Sequence, residues 1–322
     1  MMPSKAVSVL GILACFGPGT LNAQDFPTRP ITLIVPYTAG GGNDAMARVV
    51  ADTMGTVLGQ QIVIENRGGA GGSIATRQVA RAAPDGYTLG LGGTGTLAID
   101  PTLYPNVGYD PRKDFAPVGL IATSALIVLV NASVPAKTLA ELIALAKAEP
   151  GKIDYASAGS GSGIHLGTEL LAYMAGIKMT HIPYKGSAPA LTDLVGGHVS
   201  LYFSSLPPAI GLVRDGKVRP LAVTGPTRSK TFPNVPTAAE TLPGFEAVLH
   251  YGIVAPALTP RVVVDKLNAA MRAALATREV QARIETDGAE ALASTPEQYA
   301  ADIDREETKW SEIVRRSGAR AE

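Results

Sequence analysis

The residues best placed to do chemistry lie in loops almost bare of side chains. Thr38-Ala39-Gly40-Gly41-Gly42-Asn43-Asp44 follows the apolar run Ile31–Val35 and Pro36-Tyr37, and precedes a helix-forming segment. Consecutive glycines let the backbone adopt φ > 0 and come close to another group. With Asn43 or Asp44 as N-cap, a strand, a bare loop and a helix start aim free N–H groups and a positive dipole end at one spot. That is the physics of an anion site. The plainer reading is a tight strand-to-helix turn, for which one glycine would serve. Further glycine-rich loops run from Asn66 to Ser73, from Gly92 to Thr96, and through Ala158-Gly159-Ser160-Gly161-Ser162-Gly163, with His165 just beyond.

Other chemistries fit less well. Gly40-x-Gly42-x-x-Ala45 matches a dinucleotide fingerprint, with Glu65 near the position of the ribose-binding acid. However, four residues separate those glycines from the strand they should follow directly. Ser160 and Ser162 sit on a strand–loop–helix turn as an esterase nucleophile would, but neither has the flanking glycines of G-x-S-x-G. His165, His181, His198 and His250 lack metal-ligand spacing, and no carboxylate pair stands out. We therefore expect no catalytic residue, metal or cofactor. Lys185 and Arg77 could meet an anion, although solvation is the commoner fate of either. Tyr37 and Tyr184 follow strands and suit a cleft wall or a core equally.

The elements that must carry these loops alternate. Ile31–Val35, 61–65 and 87–91 read as strands, separated by helices to about Leu58 and Ala82, which predicts a parallel sheet covered by helices. Ligands sit beyond the carboxyl ends of such strands, and the glycine-rich loops fall there. The apolar run 118–130 is too long for one ordinary strand and reads as a crossing between two units. After a capping box at Thr138-Leu139-Ala140-Glu141, a second α/β unit spans about 125–225. Residues 232–244 read as a linker and Val248–Pro256 as a return strand. Two terminal helices, each opened by Thr-Pro at 259–260 and 295–296, pack back on the first unit without adding strands.

With 28 basic and 28 acidic residues among 322, the chain offers no charge for nucleic acid or an anionic membrane surface. Lys5, an apolar stretch from Ala6 to Phe16, the break Gly17-Pro18-Gly19 and Leu21-Asn22-Ala23 read as a secretory signal peptide over 1–23. Ile12-Leu13-Ala14-Cys15 is a loose lipobox, so lipid anchoring at Cys15 is the alternative to cleavage at Ala23. Cys15 is the only cysteine, so no disulfide chemistry is expected after cleavage.

The pattern of Phe26-Pro27-x-Arg29-Pro30-Ile31, Pro36-Tyr37-x-x-Gly40-Gly41-x-x-Asp44 and Glu65-Asn66-Arg67-Gly68-Gly69-Ala70-Gly71-Gly72 resembles the Bug/tripartite tricarboxylate transporter substrate-binding family. Pro84-Asp85-Gly86-Tyr87-Thr88, Pro183-Tyr184-Lys185-Gly186, Gly196-Gly197-His198-Val199, Leu221-Ala222-Val223-Thr224 and Pro233-x-Val235-Pro236-Thr237-x-x-Glu240 extend the match over essentially the whole mature chain. The resemblance implies a type II periplasmic binding protein fold: two α/β lobes, 24–123 with 252–322 and 124–251, around a cleft. It implies a monomeric periplasmic protein that is not an enzyme. A small carboxylate would pass from it to a two-component membrane permease, or be reported to a membrane sensor.

It also implies that one loop from each lobe grips the acid. In the first lobe these are Tyr37, Thr38, Ala39, Gly40, Gly41 and Asp44. In the second they are Ala158, Gly159, Ser160, Gly161, Ser162 and His165. Thr94, Gly95, Ser204 and Ser205 face the same cleft from other strand ends, with Tyr184 beside them. Relatives often carry acids where this chain has Ser200 and Ser204, so the distal pocket departs from the family pattern.

Overall fold

The computed structural model describes residues 26–320; the expected signal peptide and Cys15 lie outside them. The first unit is built from β1 (Ile31–Val35), α1 (Gly42–Leu58), β2 (Ile62–Asn66), α2 (Ser73–Ala80) and β3 (Thr88–Gly93). β1 pairs in parallel with both β2 and β3, as the alternating pattern requires. A wide π-type turn, Thr94–Ile99, leads into the short α3 (Asp100–Leu103).

The long apolar run is a single strand, β4 (Phe115–Asn131), rather than two. It escapes the usual length limit by changing sheets. The second unit follows as α4 (Leu139–Ala148), β5 (Asp154–Ser157), α5 (Gly163–Ala175), β6 (Thr180–Pro183), α6 (Ser187–Gly196), β7 (Leu201–Ser205), α7 (Leu206–Arg214) and β8 (Val218–Val223). The chain then returns through β9 (Val248–Pro256), α8 (Arg261–Leu275), α9 (Arg278–Thr286), β10 (Ala289–Ala291) and α10 (Pro296–Ser317). Up to Ala125, β4 pairs antiparallel with β9; from Leu126 it pairs antiparallel with β7 and β8. One continuous strand thus belongs to two α/β lobes, and its buried apolar residues serve both cores.

Several local expectations are corrected. The first sheet is mixed, because β9 and β4 enter it antiparallel. Gly41, not Asn43 or Asp44, is the N-cap of α1, and Gly72, not Ser73, that of α2. Pro260 caps α8 one residue earlier than its expected N1 position. The tail does add a strand, since β10 pairs with β4 at Thr123, and α9 was not anticipated. The caps at Thr138 and Thr295 form as read, each hydroxyl accepting an N–H three residues on. α10 is amphipathic, with Trp310 buried and its indole N–H donating to Glu306. No helix among the described residues is long and apolar enough to cross a membrane.

Candidate functional site

β1, β3, β5 and β7 all end at the seam between the lobes, so the loops after them meet there. They enclose a cavity of about 30 Å³, lined by Tyr37, Gly41, Thr94, Gly95, Ala158, Ser162 and Ser205 among the expected residues. That is room for about two waters. Its lining includes neither lysine nor arginine.

The donors are instead backbone amides and hydroxyls. The first four N–H groups of a helix lack intrahelical partners, and α1 opens on Gly41 with no side chain to cap them. Ser205 faces this helix start from the other lobe: a Cβ added to Gly42 would lie 2.6 Å from its Oγ. Ser205 is itself the N-cap of α7, yet it makes no capping bond. The reason is in the sequence, for the next residues are Leu206-Pro207-Pro208, and the prolines at N2 and N3 have no N–H to give it. Its hydroxyl is therefore buried and unpaired among the described residues. Thr94 Oγ1 accepts the His250 N–H at 2.9 Å, which leaves its own proton to donate.

The remaining expected residues turn away from this cavity, each for a visible reason. Ala39 and Gly40 are exposed, and Thr38 packs at the rim against Gly186. The Asp44 carboxylate folds back to accept the Gly40 N–H at 3.0 Å and to pair with Arg48. Burial pushes its pKa up, but those partners hold it below the usual value. Gly159, Ser160 and Gly161 pack against Gly71 and Asp100 of the opposite lobe. Tyr184 donates to Asp193. Ser204 donates to the Ser205 carbonyl, and Ser200 lies at the far end of β7 with its N–H on Asp154.

His165 is structural. Its Nδ1 accepts the Gly161 N–H at 3.2 Å, and its ring stacks on His181 with centroids 4.0 Å apart. His181 Nε2 lies 2.7 Å from Ser157 Oγ, which also accepts the Gly159 N–H. Burial lowers the pKa of both rings, to about 3 for His165, which also feels His181, and to about 4 for His181. Two neutral imidazoles thus hold the 158–162 loop in shape.

Gly42 and Asn43, inside the expected Thr38–Asp44 loop, also line the cavity, and so do Ser187, Leu249, His250 and Tyr251, to which the sequence did not point. Leu249 to Tyr251 gave no signal, because β9 reaches the cleft only by running beside β4. His250 is anchored outside the cavity, with Nδ1 2.8 Å from Asp302.

Comparison with known proteins bears on this arrangement. The sequence profile of the tripartite tricarboxylate transporter family receptor matches residues 46–319. The protein BugT of Bordetella pertussis is 37% identical over 324 residues, covering 99% of each chain. Among solved structures, the periplasmic binding protein BugD superposes with a TM-score of 0.88 at 38% identity, covering 92% of this chain and all of that one. R. palustris Rpa4515 with adipate gives 0.89 at 37% identity, over 92% of this chain and 100% of that one. MatC of Rhodopseudomonas palustris with bound malate gives 0.86 at 36%, over 90% and 100%.

Proposed function

This chain belongs to the family of tripartite tricarboxylate transporter receptors, and from that premise we propose that it is a periplasmic solute-binding protein that captures a small carboxylate. The observation that carries the reading is the uncapped start of α1 opposite the unpaired Ser205 hydroxyl, in a cavity shared by both lobes. Adipate and malate in two of the similar structures support a dicarboxylate as the cargo.

The mechanism follows from the geometry. A cavity of about 30 Å³ is far smaller than such an acid, so entry requires the lobes to part. β4 passes between them at Ala125-Leu126, and β9 runs beside its first part from Val248 onward; these are the natural bending points, and with them we divide the lobes near 125/126 and 247/248, a few residues from the expected 123/124 and 251/252. An entering carboxylate meets the α1 amides and the hydroxyls of Thr94 and Ser205, and closure then excludes water. Charge-assisted hydrogen bonds are worth roughly 1.5–3 kcal/mol each, and a helix end contributes up to about 2 kcal/mol. Four or five such contacts reach the roughly 8 kcal/mol of a micromolar complex once ordering costs are met. No step needs bond making, so the protein acts by binding and release. We place a two-component membrane permease as the recipient of the cargo.

The test is a thermal-shift and calorimetric panel of mono-, di- and tricarboxylates beside neutral sugars. A dicarboxylate should raise Tm most. Stabilisation by sugars alone would overturn the reading.

A further inference from the structure

We infer that closing the lobes binds a proton at Asp100, so that capture of an acid is coupled to proton uptake. This rests on the solute-binding reading but concerns a residue outside the cavity.

Asp100 opens α3 and has no exposed surface. Its Oδ1 has no partner among the described residues. The reason is close packing: a Cβ added to Gly161 of the second lobe would lie 2.1 Å from Oδ1, and one on Gly71 3.1 Å. Two glycine backbones therefore press on this oxygen and leave no space for solvent between.

Oδ2 has only a weak donor. The Tyr109 hydroxyl stands 3.5 Å away, but it also donates to the Thr96 carbonyl at 2.5 Å, where its single proton is better placed. Tyr104 spends its proton on the Ser160 carbonyl of the second lobe at 2.6 Å. Tyr109 therefore shares little of its proton with Asp100. An ionised carboxylate with so weak a donor in a dry site is unfavourable, whereas a protonated one can itself donate to the phenol oxygen.

Among the described residues no cation pairs with Asp100, and the one nearby guanidinium, Arg77, acts on Tyr109. From the end of β1, Tyr37 faces Asp100 as a neutral phenol, and burial raises its pKa. From α2, Arg77 gives its Nε to the Val107 carbonyl. From α5, the neutral His165 is occupied with Gly161. From α10, Tyr299 is buried, and Asp304 and Glu307 pair with Arg112. Desolvation accordingly raises the Asp100 pKa well above the usual carboxylate range, and the long Tyr109 hydrogen bond offsets it only in part.

The coupling follows from which lobe supplies the burial. Gly161 and the Tyr104–Ser160 bond are contacts across the cleft, so parting the lobes wets Asp100. Its pKa then returns toward the model-peptide value of about 3.9. Between the open and closed values the closed form carries one proton more, so closure weakens as pH rises by up to about tenfold per unit.

The decisive measurement is calorimetric titration of adipate and malate at about pH 7, where both are ionised, in two buffers of different ionisation enthalpy. The wild type should take up protons on binding, at most one per ligand bound. Asp100→Asn, which donates without titrating, should take up none, bind at least as tightly, and lose the pH slope. Buffer-independent enthalpy for a wild type that binds would overturn the inference and leave the solute-binding reading intact.

A ligand-free readout decides the matter if neither acid binds. A Cβ on Gly41, whose backbone is extended, would lie 3.5 Å from that of Ser187 across the cleft, within disulfide range. The oxidised Gly41→Cys/Ser187→Cys protein should show the infrared stretch of a protonated carboxyl at neutral pH, absent when Asp100→Asn is added. No such band in the locked protein would overturn the inference.

Discussion

The start of α1 at Gly42 and the hydroxyl of Ser205 approach so closely that one methyl group would separate them: an added Cβ would stand 2.6 Å from Oγ and 3.1 Å from the Tyr251 hydroxyl. The two residues belong to different lobes, so this contact exists only while the cleft is closed. Gly42→Ala suits the helix, since alanine is its best former, yet it blocks closure. Overpacking of this kind costs about 1–3 kcal/mol, so affinity should fall roughly 5- to 150-fold with the circular dichroism spectrum unchanged. Wild-type affinity would show that the cleft does not close here.

Ser205→Ala removes the hydroxyl that Pro207 and Pro208 leave free. A hydrogen bond to a charged group is worth about 1.5–3 kcal/mol, so dicarboxylate affinity should drop at least about tenfold. Ser204→Ala is the control, because its hydroxyl is spent on the Ser205 carbonyl. Calorimetry that gives the two variants equal affinity would remove Ser205 from the site.

Asp44 separates shape from contact. Its carboxylate closes the loop on Gly40 and anchors Arg48. Asp44→Ala should lower Tm by about 2–4 °C, the equivalent of roughly 1 kcal/mol in a chain of this size. Asp44→Asn, which still accepts from Gly40, should keep affinity within about threefold, a change well under 1 kcal/mol. Much greater loss of affinity in the asparagine variant would mean that the acid touches the ligand.

The stacked imidazoles set the acid limb of stability. In the native state both stay neutral until about pH 4 and 3, while in the unfolded chain they charge below about 6.5. The unfolded state therefore binds more protons in between, so the contribution is complete above about pH 6.5 and is lost as pH falls. Asp100 has the opposite sign, because its folded pKa is raised: its contribution is greatest in acid and declines as pH rises. His165→Asn/His181→Gln should flatten the fall in Tm from about pH 6.5 to 4.5, whereas Asp100→Asn should raise Tm at pH 7 more than at pH 5. Scanning calorimetry across that range checks both.

The sequence by itself determined what is local. Ile31–Val35 is a strand because it is β-branched and apolar, the bare glycines after it leave the α1 amides open, and Thr138 and Thr295 cap their helices through side chains three residues from their targets. The family motifs added two lobes and the expectation of a carboxylate ligand. Even the freedom of Ser205 was written in the prolines that follow it. The tertiary structure alone decided where side chains point once loops distant in sequence meet. It turned Asp44 inward to Gly40, stacked His165 on His181, interlocked Gly71 with Ser160, and set Asp100 against Gly161. The physical reason is that hydrogen-bond supply and burial are properties of the meeting place. A carboxyl at position 100 reads as an ordinary acid until Gly161 of the second lobe, 61 residues on in the chain, removes its water and leaves it one weak donor.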